Sequence, residues 1–119
     1  MGISPASKEK ILDGLMERRR AAQRLEIRLR FEGRADEADA VRRAARQLGR
    51  EIDRLLAAAM EEWSGHSTSL IRAVERDNAR LAEAIEALRG DVERGERLVE
   101  VLSLIEEGAR LAASLLLVA

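Results

Sequence analysis

The chain lacks cysteine and tyrosine, and its 119 residues include one proline, one histidine and two aromatic residues, Phe31 and Trp63. Without cysteine there can be no disulfide framework, thiolate metal site or cysteine nucleophile. Sheet proteins usually draw on aromatic and β-branched residues, whereas this chain draws on Ala, Leu, Arg and Glu. The composition therefore predicts an all-α protein.

Charged residues make up 36% of the chain and apolar residues 46%, which indicates one folded domain over residues 1–119. The formal net charge of -1 conceals an asymmetry: residues 1–54 contain 14 basic and 10 acidic side chains, and residues 55–119 contain 7 and 12. The longest uncharged run, residues 111–119, is far shorter than the roughly 20 residues of a membrane span. The N-terminus also lacks the apolar core of a signal peptide. We therefore expect no transmembrane segment and a cytoplasmic location.

Turn signals divide the chain into helical segments. Ser7 can cap a first helix, Gly33 suits the left-handed position after a helix, and the run from Ser64 to Ser69 is the most turn-like stretch. We predict helices over residues 7–32, 36–63, 67–89 and 91–117. If Gly90 forms a turn, the fold is an antiparallel four-helix bundle within one chain. If Gly90 is only a kink, the last two helices form one arm of a long hairpin that must pair as a dimer.

Apolar residues recur at steps of three and four along the second and third helices, which places them on one face of each helix. In the second helix this seam contains Val41, Leu48, Ile52 and Leu55. In the third helix it contains Ile71, Val74, Leu81, Ile85 and Leu88, with the polar Asn78 among them. Arg18 interrupts the less regular stripe of the first helix. We predict that the seams mediate coiled-coil-like association with a second copy or with a helical partner.

Arginines form rows beside the apolar seams. The second helix carries Arg42, Arg46, Arg50 and Arg54 at successive i+4 positions, and the first carries Arg20, Arg24 and Arg28. Like charges at this spacing repel by about 0.2–0.5 kcal/mol per pair, so acidic partners are expected. Such partners recur every seven residues in the second half, at Glu86, Glu93, Glu100 and Glu107. We expect these two sets to pair and to set helix orientation.

Nucleic acid is the alternative partner for the ridge of Arg42, Arg46, Arg50 and Arg54. Acidic residues such as Asp39 and Glu51 interleave with it, and no aromatic side chain accompanies it for base stacking. Nucleic-acid binding is therefore the less favoured interpretation of the ridge.

Few residues could carry chemistry. His66 is the sole histidine and lies in a turn-like run, so a His-containing metal site is not expected. The neighbouring Ser64, Ser67 and Thr68 share this run, where no regular element would orient a nucleophile and its base. The sequence predicts no cofactor, no metal and no enzymatic activity.

Trp63-Ser64-Gly65 lies between two helical arms near the middle of a short, cysteine-free chain. In this respect the sequence resembles the WXG family of type VII secretion substrates. The resemblance implies a helical hairpin with Trp63 and Gly65 in its turn, pairing into a four-helix dimer, and a secreted protein. The chain departs from the family in having no tyrosine for the C-terminal secretion signal, and Gly33 interrupts the first arm.

Overall fold

The computed structural model describes residues 5–58, 67–88 and 94–115. They form four α-helices: α1 (Pro5–Phe31), α2 (Ala35–Ala57), α3 (Ser67–Ala87) and α4 (Arg94–Leu115). No strand occurs among these residues. The all-α prediction is therefore confirmed.

The turn between α1 and α2 depends on Gly33, which adopts φ +75°. The Arg34 N–H donates to the Leu29 carbonyl at 2.9 Å, and the Gly33 N–H donates to the Arg30 carbonyl at 3.1 Å. This pair of bonds is the Schellman arrangement, which satisfies carbonyls that a helix end would otherwise leave free. Gly33 thus has the left-handed role predicted from the sequence.

Several helix ends differ from the predicted bounds, most clearly the start of α1 and the end of α2. Helix α1 already begins at Pro5, because the first turn of a helix does not need the N–H that proline lacks. Helix α2 ends at Ala57, and Ala58 is extended, with φ -76° and ψ 143°. The alanines at 57 and 58 offer little apolar area to hold a further turn in place. The rest of the predicted extension, to residue 63, lies outside the described residues.

The four helices form a bundle with the order α1, α2, α4, α3 around its axis. Helices α1 and α4 each pack against both α2 and α3, and α1 also reaches α4 across the centre. Helices α3 and α4 pack side by side, and only six residues separate them along the chain. The chain therefore reverses direction between the two helices. The four-helix bundle within one chain is therefore the observed architecture. It measures 47 × 22 × 22 Å, with the α1/α2 hairpin on one side and the α3/α4 hairpin on the opposite side.

The predicted seams lie inside this bundle. Seven of the named seam residues are at most 2% exposed: Val41, Leu48, Ile52, Leu55, Val74, Leu81 and Leu88. Ile71 and Ile85 are partly buried against the same core. The seams of α2 and α3 are thus covered by helices of the same chain, and association with a partner requires another surface.

Gly14 sets the closest approach of α1 and α3. A Cβ atom added at Gly14 would overlap Cγ1 of Val74. The Nδ2 of Asn78 also donates a 2.8 Å hydrogen bond to the Gly14 carbonyl, which a close approach of the two helices permits. The absence of a side chain at position 14 therefore fixes the spacing between α1 and α3.

This close approach predicts opposite effects for two glycines. Replacing a helical glycine with alanine normally stabilises by up to about 1 kcal/mol. Gly95→Ala should do so, because nothing lies within 4 Å of its added Cβ. Gly14→Ala should instead leave the protein about 1–3 kcal/mol less stable than Gly95→Ala, since overpacking displaces Val74. Urea denaturation followed by circular dichroism measures both, and equal stabilisation by the two variants would contradict the close approach.

Candidate interaction site

Arg18 is the one fully buried arginine among the described residues, with 2% of its surface exposed. Its Nε–H donates to Oδ1 of Asn78 at 2.6 Å. Its Nη1 donates to the Leu104 carbonyl at 3.1 Å, and its Nη2 donates to the Val74 carbonyl at 3.3 Å. The polar residues that interrupt the stripes of α1 and α3 therefore satisfy each other, and Arg18 joins α1 to both α3 and α4.

No carboxylate of the described residues binds the Arg18 guanidinium directly. Burial lowers the pKa of Arg18, and the charges of Asp77 and Glu107 act in the opposite direction. A Cβ atom added at Gly108 would lie 3.0 Å from Cδ and Nη1 of Arg18, so this glycine leaves room for the side chain. Arg18 is enclosed on all sides, which makes it a structural residue rather than a ligand-binding one.

The Arg18 network should be sensitive to the loss of one partner. Asn78→Ala leaves the buried Nε–H of Arg18 without its acceptor, which should lower the free energy of unfolding by about 1–3 kcal/mol. The paired change Arg18→Met and Asn78→Leu removes both polar groups and should be neutral or stabilising. Urea denaturation of the three proteins tests this. The interpretation would be overturned if the double variant lost more stability than Asn78→Ala.

Most surface ion pairs lie within single helices. Arg54 binds Glu51, Arg97 binds Glu100 and Arg110 binds Glu107, at 3.0, 3.2 and 2.6 Å. In the described part of the chain, the predicted pairing of the α2 arginine row with Glu100 or Glu107 does not occur. The physical reason is placement, because Arg42 and Arg46 line the groove between α1 and α2, whereas Glu100 and Glu107 line the groove between α3 and α4.

In the part of the chain that the structure describes, two ion pairs join different helices. Arg94, at the start of α4, binds Glu37 of α2 at 2.9 Å. Arg30, near the end of α1, binds Asp39 of α2 at 2.8 Å and Glu26 of its own helix at 3.0 Å. Arg30 thus engages both carboxylates at this end of the groove between α1 and α2.

The groove between α1 and α2 is lined by arginines that have no carboxylate partner. Its volume is about 220 Å³, and its lining comprises Arg19, Gln23, Glu26, Arg42, Ala45 and Arg46. Among the described residues, no hydrogen bond or ion pair engages the side chains of Arg19, Arg42, Arg46 or the next row member, Arg50. We call these four residues the basic row.

The surroundings of the basic row are described by one packing contact and one nearby carboxylate. A Cβ atom added at Gly49 would lie 3.0 Å from Cζ of Arg19, so the guanidinium of Arg19 rests directly on α2. The pKa of Asp39 is lowered, mainly by its hydrogen bond to Arg30 and further by the charges of Arg43 and Arg42. Within the described part of the chain Asp39 is hydrogen-bonded to Arg30 alone, so Arg42 can meet another acidic group.

Two apolar side chains of α1 are exposed on the outer face of that helix and do not line this groove. Ile27 is 63% exposed and Phe31 is 92% exposed. They follow Arg19 and Gln23 at successive i+4 positions, so the four side chains form one ladder along α1. The α1/α2 side of the bundle therefore carries both exposed apolar area and arginines that have no carboxylate partner among the described residues.

The opposite side of the bundle has a larger groove between α3 and α4, of about 500 Å³. Its α4 edge carries Glu96, Glu100 and Glu107 together with Val99, which is 67% exposed. Its α3 edge carries Arg76, Asp77 and Arg80. Arg76 lies beside Asp77 at 3.5 Å. The α4 edge of this groove is therefore acidic.

Sequence reasoning located part of this surface. The predicted ridge residues Arg42, Arg46 and Arg50 are exposed on α2, and Arg54 is exposed with a partner in Glu51. The predicted α1 row behaves differently. Arg20 and Arg24 bind Glu17, and Arg28 donates to the Ile85 carbonyl. The sequence pattern does not single out Arg19. The glycine at position 49, within a regular helical pattern, is the sequence signal that a large side chain can approach α2 at that point.

Several other predictions lie beyond the reach of the structure. Trp63, Gly65 and His66 lie outside the described residues, so the WXG resemblance stays a prediction.

Within residues 5–58, 67–88 and 94–115, no group of three or more acidic or histidine side chains could hold a metal ion. None of the described helices combines the length and apolar character that crossing a bilayer requires. Comparisons with protein-family models, curated proteins and solved structures find no match.

Proposed function

We propose that this chain is a non-enzymatic interaction protein that binds an acidic helical segment of a partner along its α1/α2 groove. The observation that supports the proposal is the basic row: four arginines on two adjacent helices, none engaged by a described carboxylate. A helix with carboxylates spaced three or four residues apart can meet this row with one of its faces. We also propose that the protein is cytoplasmic, as the sequence predicts.

The exposed apolar residues favour a protein over a nucleic acid as the partner. Ile27 and Phe31 offer apolar contact beside the basic row. Nucleic-acid interfaces depend on strong net positive charge, whereas this chain has a net charge of -1 and carries Glu26 in the groove itself. A helical partner can use both the charge and the apolar area.

The proposal differs from the sequence-based hypothesis in the surface that it uses. The hypothesis assigned association to the apolar seams, which the bundle itself covers. In the proposal, apolar contact comes from the exposed ladder of α1, and the charges choose the partner and its register.

Binding can be measured with a designed probe. The probe is a fluorescein-labelled amphipathic helical peptide that carries Leu on one face and Glu at i and i+4 beside it. We expect fluorescence anisotropy to show binding that weakens with added salt, because exposed charges are screened. The triple variant Arg42→Gln, Arg46→Gln and Arg50→Gln should weaken binding by about 3- to 150-fold, given roughly 0.2–1 kcal/mol for each of the three exposed pairs.

The chain offers a matched control on another helix. Arg72, Arg76 and Arg80 have the same i+4 spacing on α3 and are exposed. Their replacement by Gln should leave peptide binding unchanged. Equal loss in both triple variants, or no binding by the unmodified protein, would refute the proposal. Tighter binding of a short duplex DNA than of the peptide, abolished by the α2 changes, would replace it with the nucleic-acid alternative.

A further inference from the structure

The two hairpins of the bundle carry opposite charge excesses on opposite sides. Within residues 5–58, fourteen side chains are basic and ten are acidic. In the described part of the second hairpin, residues 67–88 and 94–115, six are basic and eight are acidic. Because α1 and α2 form one side of the rod and α3 and α4 the other, the molecule has a basic face and an acidic face that point away from each other.

The spacing of charges on the two faces is compatible. On α2, Arg42, Arg46 and Arg50 follow at steps of four residues, which correspond to a rise of about 6 Å each. On α4, Glu96 and Glu100 are separated by the same step, and Glu107 lies two turns further. Two such rows come into register when α2 of one molecule lies alongside α4 of another.

The competing contacts on the acidic face are weak. Glu100 and Glu107 contact Arg97 and Arg110 of their own helix. Exposed pairs of this kind contribute about 0–1 kcal/mol each, so their carboxylates can also meet a second cation. Glu96 has no partner among the described residues, and its neighbour Val99 is an exposed apolar side chain that could be covered in a contact.

We propose that the acidic α4 edge of the α3/α4 groove of one copy of this chain binds the α1/α2 groove of a second copy. The inference rests on the proposed function and names the partner surface: the acidic helix that the basic row meets is α4 of another molecule. A face of 47 by 22 Å has an area of about 1,000 Å², compared with about 800 Å² per partner in a standard interface. The available face is therefore large enough for a specific contact.

The geometry also determines the form of the assembly. The two surfaces are different and lie on opposite sides, so a contact between them leaves one free surface of each kind. A heterologous contact of this type adds further copies instead of closing into a two-fold dimer. Self-association should thus be open-ended, dependent on concentration and weakened by salt.

Sedimentation velocity at about 20 mM and about 0.5 M salt tests the salt dependence. At low salt the unmodified protein should form species larger than a dimer, and at high salt it should return to the monomer. A monomer at low salt and high protein concentration, or a dimer that never grows, would overturn the proposal.

Mixing two charge-reversed variants identifies the surfaces. The first variant carries Arg42→Glu, Arg46→Glu and Arg50→Glu, and the second carries Glu96→Arg, Glu100→Arg and Glu107→Arg. Each variant alone should be monomeric at low salt, because one of its faces can no longer bind. An equimolar mixture should again form species larger than a dimer, because each face of one variant meets an oppositely charged face of the other. A mixture that stays monomeric would overturn the proposal.

Two further measurements show whether the variants fold and whether the α1/α2 groove still binds the peptide. Circular dichroism melting must show that both variants fold, and single reversals at Arg46 and Glu100 serve as replacements for a variant that does not. The acidic-face variant should still bind the labelled acidic peptide, since its α1/α2 groove is intact. Peptide binding without any self-association would leave the proposed function standing and refute only the self-association.

Discussion

The burial of one guanidinium group constrains the whole bundle. Arg18 lies where the stripe of α1 would otherwise be apolar, and a charge removed from water must recover its hydrogen bonds inside the protein. It does so through the side chain of Asn78 and the carbonyls of Val74 and Leu104. Since these acceptors belong to α3 and α4, the rotation and axial position of both helices are coupled to α1.

Close packing around this network depends on small residues at the contacts. Gly14 brings α1 against Val74 and accepts a hydrogen bond from Asn78, and Gly108 leaves room for the Arg18 side chain. A larger residue at either position would separate the helices and lengthen hydrogen bonds that the buried charge needs. The network and the packing therefore support the same arrangement of helices, which is the consistency expected of a sequence with one native state.

The basic row arises because the acidic side chains of α1 and α2 bind other arginines. Arg30 holds Glu26 and Asp39, Glu51 binds Arg54, and Glu17 binds Arg20 and Arg24. Among residues 5–58, 67–88 and 94–115, no carboxylate then pairs with the arginines of the α1/α2 groove. Exposed like charges in one groove repel each other modestly, and an acidic surface relieves that repulsion when it binds. This is the physical basis of both proposals.

The sequence by itself determined the helices, their approximate bounds, the left-handed turn at Gly33 and the core faces of α2 and α3, because helical periodicity and turn chemistry are local properties. It predicted less about α4. The three-and-four spacing fits Leu98, Leu102, Ile105, Ala109 and Ala112, of which the last three are buried and the first two only partly buried, whereas Val101, Leu104 and Leu115 are buried as well. Apolar side chains occur nearly all round that helix, so its core face depends on which neighbours it meets. Tertiary structure alone decided that Arg18 and Asn78 bind each other, that the seams are covered within one chain, and that Arg19 joins the basic row. Each of these depends on distances between residues far apart in the chain, which the order of helices around the axis sets.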